Sequence, residues 1–99
     1  MKLIITKSQI DAPMGVRFAL TCRLEVAPEE AALIRHYAPS YRFGKAGDVW
    51  DFIDHAITFE DPDVRAVQAR ADKLKKACQR LRRRLEQATQ YTGQEEFEF

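Results

Sequence analysis

The sequence predicts an α+β fold in which a small antiparallel sheet packs against one long C-terminal helix. Between Val16 and Val26, six apolar residues occupy every second position, which is the period of a strand with one buried face. Between Val64 and Ala88, apolar residues recur at spacings of three and four, as in an amphipathic helix. The strand face extends about 33 Å at ~3.3 Å per residue, and the helix face about 36 Å at ~1.5 Å per residue. The matching lengths predict that the helix lies along the sheet from end to end.

Two strands at the start of the sequence are expected to form a hairpin. Residues 2–9 are apolar and β-branched at their centre, and Asp, Pro and Gly cluster in the loop at 11–15. The shortness of this loop favours antiparallel pairing with the strand that follows. Residues 95–99 alternate again, which predicts a third, C-terminal strand with Phe97 and Phe99 facing inward.

A short helix is predicted over residues 28–38. Pro28 suits the first helical position, where its missing N–H costs nothing. Glu29 and Glu30 then complement the positive end of the helix dipole. Pro39 ends the helix, because a proline disfavours helical backbone in the residue before it.

The long helix is predicted over residues 62–91. Asp61 is expected to cap it and Pro62 to occupy its first position. No residue interrupts the helical pattern before Gly93, which is suited to the left-handed position that often follows a helix.

Residues 39–60 allow two interpretations. Asp48 is suited to cap a short helix over 48–55. A second hairpin across 44–47 fits nearly as well, because glycines stand at both ends of this turn. Residues 57–59 indicate a brief extended segment.

Aromatic residues are concentrated between positions 37 and 59, where six occur. Most of them are expected in the core. Aromatic side chains that stay exposed are favoured anchors for binding partners. Tyr41 and Trp50 are the candidates for such an aromatic interface.

Composition predicts one globular domain over residues 1–99. The chain is 45% hydrophobic and 31% charged, and it is too short for two separate cores. No apolar run approaches the ~20 residues that span a bilayer, and the first residues lack the apolar region of a signal peptide. Cys22 and Cys78 fall within apolar patterns without a metal-ligand spacing, so both are expected to be buried free thiols. These features predict a cytoplasmic protein outside the membrane.

Charge is segregated along the sequence, although the net charge is only +1. Residues 64–85 contain nine basic residues and one acidic residue, whereas residues 48–63 contain six acidic residues and no Lys or Arg. Opposite the apolar side of the long helix, basic residues repeat at spacings of three and four and repel each other. This stripe calls for an anion, which the acidic residues 48–63, an acidic protein partner or nucleic-acid phosphate would supply. The basic stripe consists of Lys73, Lys76, Arg80, Arg83 and the adjacent Arg84.

The apolar spacing of the long helix also fits a coiled-coil heptad that would pair two copies of the chain. With Val64 at the first heptad position, the flanking e and g positions are basic or neutral, so self-pairing would gain no ion pairs. Ala71, Cys78 and Ala88 make the apolar side shallow, which suits close packing against a sheet. Packing within the chain is therefore favoured, and a helix-mediated homodimer is the alternative.

No catalytic, cofactor or metal motif is present in the sequence. The two histidines, His36 and His55, lie in separate segments, and no nucleophile stands near them in sequence. The sequence predicts a non-enzymatic protein-interaction or regulatory module without a cofactor, whose partner is another protein or a second copy. The alternative is a nucleic-acid-associated protein that places the basic stripe on phosphates, although the acidic residues 48–63 would repel phosphates.

Overall fold

Three β-strands and three α-helices make up the fold in a computed structural model, which describes residues 1–99. The strands form one antiparallel sheet, and the longest helix packs on it, which confirms the predicted α+β class. A short 3-10 turn at Gly44–Ala46 lies between the first two helices. The elements in chain order are β1 (Lys2–Ala12), β2 (Gly15–Glu25), α1 (Pro28–Tyr37), α2 (Val49–Asp54), β3 (Ile57–Asp61) and α3 (Val64–Gln90).

The sheet is built on the hairpin of β1 and β2. These strands pair antiparallel over all 11 residues of each. Gly15 closes the turn with a φ of 118°, a conformation that favours glycine. β3 pairs antiparallel with residues 18–22 of β2. Since β2 is the central strand, one edge of β1 and one edge of β3 remain free.

β3 is the third strand of the sheet, so the prediction that residues 95–99 form it was wrong. Residues 57–61 follow α2 after only two residues, and this short connection brings them to the free edge of β2. Residues 91–99 are all exposed and belong to no strand. An alternating pattern forms a strand only where an unpaired edge lies within reach. The 27 residues of α3 separate 95–99 from the sheet.

The first two helices form as predicted. α1 begins at Pro28, where the Glu30 carboxylate accepts the backbone N–H of Ala27 at 3.0 Å. α2 begins after Asp48, whose side chain caps it, so the helical interpretation of residues 48–55 is confirmed. Of the alternative hairpin, only a single bridge between Arg42 and Asp48 forms.

α3 begins later than predicted, because Asp63 rather than Asp61 caps it. Asp63 Oδ1 accepts the backbone N–H of Arg65 at 2.9 Å. Asp61 is paired with Phe18 in the sheet, so its backbone is not free to start a helix, and its side chain accepts the N–H of Asp63 at 2.8 Å. α3 ends at Gln90. Neither α3 nor the two shorter helices combine the length and apolar character that crossing a bilayer requires.

The apolar side of α3 packs against its own sheet, as predicted. It shares one hydrophobic core with Leu20, Cys22 and Leu24 of β2 and with Ile34 of α1. The side that a coiled-coil partner would contact is therefore occupied within the chain. The buried residues of α3 are Val67, Ala71, Leu74, Ala77, Leu81 and Leu85.

α3 is offset along the hairpin, so the predicted end-to-end match was wrong. Lys7 Nζ donates to Gln68 Oε1 at 3.3 Å, which places the start of α3 beside the middle of β1. Val64 is accordingly 52% exposed, and Val16 near the hairpin turn is 41% exposed. The hairpin projects at one end and α3 with residues 91–99 at the other, which gives extents of 71 × 31 × 18 Å.

Candidate anion-binding groove

Apart from Arg65, which pairs with Asp63 at the start of the helix, the charged residues of α3 divide between two flanks. A helix turns by about 100° per residue, so residues spaced by three and four share a side. On one flank the cations are paired: Lys75 Nζ lies 3.9 Å from Asp72 Oδ1, and Arg82 Nε donates to Glu86 Oε1 at 3.0 Å. These are the only two acidic residues of α3. The other flank, here the basic flank, consists of Arg70, Lys73, Lys76, Arg80, Arg83 and Arg84.

The basic flank has no carboxylate partner. Five ion pairs form in the structure, and none includes a residue of the basic flank. The Arg70 guanidinium instead lies 4.6 Å from the centroid of the Phe59 ring, and that of Arg84 lies 5.9 Å from the centroid of Tyr41. A cation–π contact attracts the cation but does not neutralise it. The flank is therefore a predominantly positive surface, which Asp72 borders four residues before Lys76.

The acidic residues of 48–63 serve mainly as caps rather than as counter-ions of the basic flank. Asp48 Oδ1 accepts two backbone N–H groups of α2, at 2.9 and 3.2 Å. Asp51 Oδ2 in turn accepts the N–H of Asp48 at 3.0 Å. Asp61 and Asp63 bind backbone N–H groups at the start of α3. Internal neutralisation, one of the three sources of anion that the sequence left open, does not occur.

A groove of about 610 Å³ separates the basic flank from residues 43–46. Both of its walls carry cations, and no acidic residue lines it. Its floor is apolar, because Phe43 and Leu74 are each only 4% exposed and small alanines surround them. The groove combines positive walls with an apolar floor. The five cations are Lys45, Arg70, Lys73, Lys76 and Arg80.

The wall at residues 43–46 is fixed by contacts to α3 and by a tight turn. The Tyr41 hydroxyl donates to the Ala77 carbonyl at 3.2 Å, which ties the start of this wall to the helix. The N–H of residue 43 donates to the Gly47 carbonyl at 2.8 Å. Gly47 has a φ of 144°, and a Cβ there would lie 2.7 Å from Asp51 Oδ2. The turn therefore requires glycine, and the groove is preformed.

The structure places the predicted site residues in three positions. Lys73, Lys76 and Arg80 line the groove, whereas Arg83 and Arg84 continue the basic flank beyond it. Tyr41 supports the groove wall from a half-buried position.

Trp50, the other aromatic candidate, is half-buried on α2 and does not line the groove. Its indole N–H donates to the Pro39 carbonyl at 2.9 Å, and the Arg35 guanidinium lies 5.0 Å from its ring centroid. These contacts use both the polar edge and one face of the ring within the chain.

Sequence reasoning missed two groove cations. Arg70 precedes Lys73 by three residues and so follows the same helical spacing as the predicted basic stripe. No spacing pattern in the sequence relates Lys45 to the cations of α3. It reaches the groove only because the turn ending at Gly47 folds toward α3.

The remaining reactive side chains form no second site. Cys22 and Cys78 are free thiols, but only Cys22 is fully buried, whereas Cys78 is half-buried against the core, contrary to the prediction. Burial raises the pKa of both, that of Cys78 to about 11. They are thus protonated and weakly nucleophilic near neutral pH. His36 and His55 are exposed on separate segments. No group of three or more His, Cys, Asp and Glu side chains is arranged to hold a metal ion.

Comparison with protein-family models, curated proteins and solved structures finds no match to this chain. No relative therefore supplies a role for any residue.

Proposed function

We propose that this protein is a non-enzymatic interaction or regulatory module whose groove binds an acidic peptide segment of a protein partner. The observation that carries the proposal is a basic flank without carboxylates beside a groove with an apolar floor. The free thiols of Cys22 and Cys78 support a reducing location, and we infer that the module acts in the cytoplasm.

Repulsion within the basic flank favours the binding of an anion. Cations at three- and four-residue spacings, such as Lys76 and Arg80, destabilise a helix by about 0.2–0.5 kcal/mol per pair. A carboxylate placed between two such cations replaces repulsion with attraction. The positive charge of the flank also accelerates encounter with an acidic partner.

The apolar floor favours a peptide over a nucleic acid. Phe43 and Leu74 are each only 4% exposed, so the apolar surface that a ligand can contact includes the alanines of the groove lining. A phosphate backbone gains little from this surface, whereas an apolar side chain flanked by carboxylates fits both the floor and the walls. Single-stranded nucleic acids are bound by stacking of bases on exposed aromatic rings. The one aromatic ring of the groove lining, Phe43, is almost completely buried.

Nucleic acid is the second candidate, because the basic flank is longer than the groove. From Arg70 to Arg83 the cations extend about 20 Å at ~1.5 Å per residue. A phosphate backbone would contact this row without using the apolar floor. Its binding would weaken steeply with salt, by a log–log slope of about −0.9 per contacted phosphate on a duplex.

Two charge-reversal variants test the peptide proposal. The groove variant combines Lys76→Glu with Arg80→Glu, and the control variant combines Lys75→Glu with Arg82→Glu on the opposite flank, with the same change in net charge. A fluorescent peptide of alternating glutamate and leucine should bind wild type and control in an anisotropy titration. The groove variant should bind it about tenfold more weakly, because two ion pairs become repulsive contacts.

Altered probes separate the peptide from the nucleic acid. Peptides with glutamine for every glutamate, or serine for every leucine, should bind weakly, since one lacks charge and the other lacks apolar groups. If duplex DNA and the serine peptide bind as tightly as the original peptide, charge alone drives binding and the peptide proposal fails. Equal losses in the groove and control variants would place binding elsewhere.

A further inference from the structure

We infer that the groove is occupied by residues 94–99 of a second copy of this chain, so that the protein associates with itself by exchanging these segments. The inference rests on the proposed function, because it names the acidic partner of the same groove. Residues 94–99, here the acidic segment, carry three carboxylates and two aromatic rings. They are Gln94, Glu95, Glu96, Phe97, Glu98 and Phe99.

The acidic segment has no partner within its own chain. Phe97 is 72% exposed and Phe99 is fully exposed. None of the three carboxylates forms an ion pair. The only side-chain hydrogen bond of the segment is internal, from Gln94 Nε2 to Glu96 Oε1 at 2.6 Å. Clustered exposed apolar groups of this kind are typical of surfaces that another molecule covers.

The alternation of Phe and Glu gives the acidic segment an apolar side and a charged side, which suit the apolar floor and the cationic walls of the groove. In an extended backbone, successive side chains point in opposite directions. Phe97 and Phe99 therefore share one side with Glu95 at its start, and Glu96 and Glu98 share the other. With the rings on the apolar floor, the carboxylates stay at the rim, where both walls carry cations.

The length of the connection favours a second copy over the chain's own groove. Leu74 on the groove floor lies sixteen residues before Gln90, which is about 24 Å along α3 at ~1.5 Å per residue. To run back along α3, the chain must first reverse direction over residues 91–94. Residues 95–99 then extend about 16 Å at ~3.3 Å per residue, which reaches the level of Arg80 at the near end of the groove but leaves their rings short of Leu74. A second copy has no such restriction.

Reciprocal exchange of the acidic segments gives a closed dimer. Each copy fills the groove of the other, so no third copy adds to the pair. The same groove is then unavailable to a different acidic partner. Self-association and partner binding therefore exclude each other, and a partner peptide should dissociate the dimer.

The test uses the full chain and two variants, one with a defective acidic segment and one with a defective groove. Phe97→Ser with Phe99→Ser removes the rings of the segment, and the groove variant is the one defined above. Light scattering over a concentration series should show dimers of wild type and of the control variant, but monomers of both defective variants. A mixture of the two defective variants should form a one-to-one complex, because one supplies an intact groove and the other an intact segment.

Three results would overturn the inference: monomeric wild type, dimers in either defective variant, or no complex in the mixture. Binding of the glutamate–leucine peptide distinguishes this failure from that of the proposed function. If the segment variant binds the peptide and the groove variant does not, the groove function stands and only self-docking fails. If a monomeric wild type binds the peptide more weakly than the segment variant, the segment docks on its own groove, which also overturns the inference.

Discussion

At the scale of single residues, a carboxylate that lies beside an unpaired backbone N–H group caps a helix instead of neutralising a distant cation. Asp48 and Asp63 each accept a backbone N–H at the start of a helix, where a side-chain cap contributes about 1 kcal/mol. Their charge is used locally, although the run of acids in the sequence suggests an acidic surface. Lys76 and Arg80 have no such group beside them and remain without an ion-pair partner on the groove wall.

Cys78 is expected to resist alkylation in the folded protein. Burial raises its pKa from 9.0 to about 11. At pH 8 the thiolate fraction is then about 0.1% instead of about 10%, so iodoacetamide should label Cys78 roughly 100-fold more slowly in the folded than in the urea-unfolded protein. Because the folded state holds this proton more tightly, the free energy of unfolding should also fall as the pH rises from 9 toward 11.

Mass spectrometry of the labelled peptides follows Cys78 separately from Cys22. A Cys22→Ala variant removes the second thiol and serves as the control. Equal labelling rates of Cys78 before and after unfolding would contradict its burial between α3 and the sheet.

At the scale of elements, α3 is where sequence and structure agree best. Its spacing predicted the basic stripe and most of the buried side, because helical periodicity depends only on residues within the helix. Val64, Cys78 and Ala88 are the exceptions, since none of them is fully buried. Arg70 belongs to the same pattern. Lys45 could not be predicted in this way, because it reaches the groove through a turn that Tyr41 ties to Ala77, 36 residues away.

Two alanine substitutions on the same side of α3 should differ sharply in effect. Leu81 is 0% exposed, so Leu81→Ala leaves a cavity and should lower the free energy of unfolding by about 2–5 kcal/mol. Val64→Ala should cost less than about 1 kcal/mol, since about half of that side chain already contacts water. Urea denaturation monitored by circular dichroism measures both. Similar losses at the two positions would contradict the offset of α3 along the hairpin.

At the scale of the whole molecule, elongation places the hairpin turn and residues 91–99 away from the core. The radius of gyration is 17.6 Å, whereas a compact domain of this length has about 12–13 Å. The hairpin turn and the acidic segment lie at opposite ends, and the groove lies between them. A net charge of +1 conceals this arrangement, because the acids and bases occupy different surfaces.

Small-angle scattering should detect this elongation. For the Phe97→Ser, Phe99→Ser variant extrapolated to zero concentration, the radius of gyration should be close to 17.6 Å. This variant is used because it should not dimerise. A value of about 12–13 Å would mean that the hairpin or residues 91–99 fold back on the core.

The hairpin, α1 and the two-sided character of α3 follow from the order of residues, because alternation, capping and helical spacing act between near neighbours. The third strand, the Asp63 cap and the groove depend on contacts between distant segments. β2 had one free edge, and residues 57–61 occupy it because two residues connect them to α2. Residues 95–99 alternate as well, but α3 carries them away from that edge. The path of the chain therefore determines which of these two segments pairs with β2. The alternation of either segment contains no information about that path.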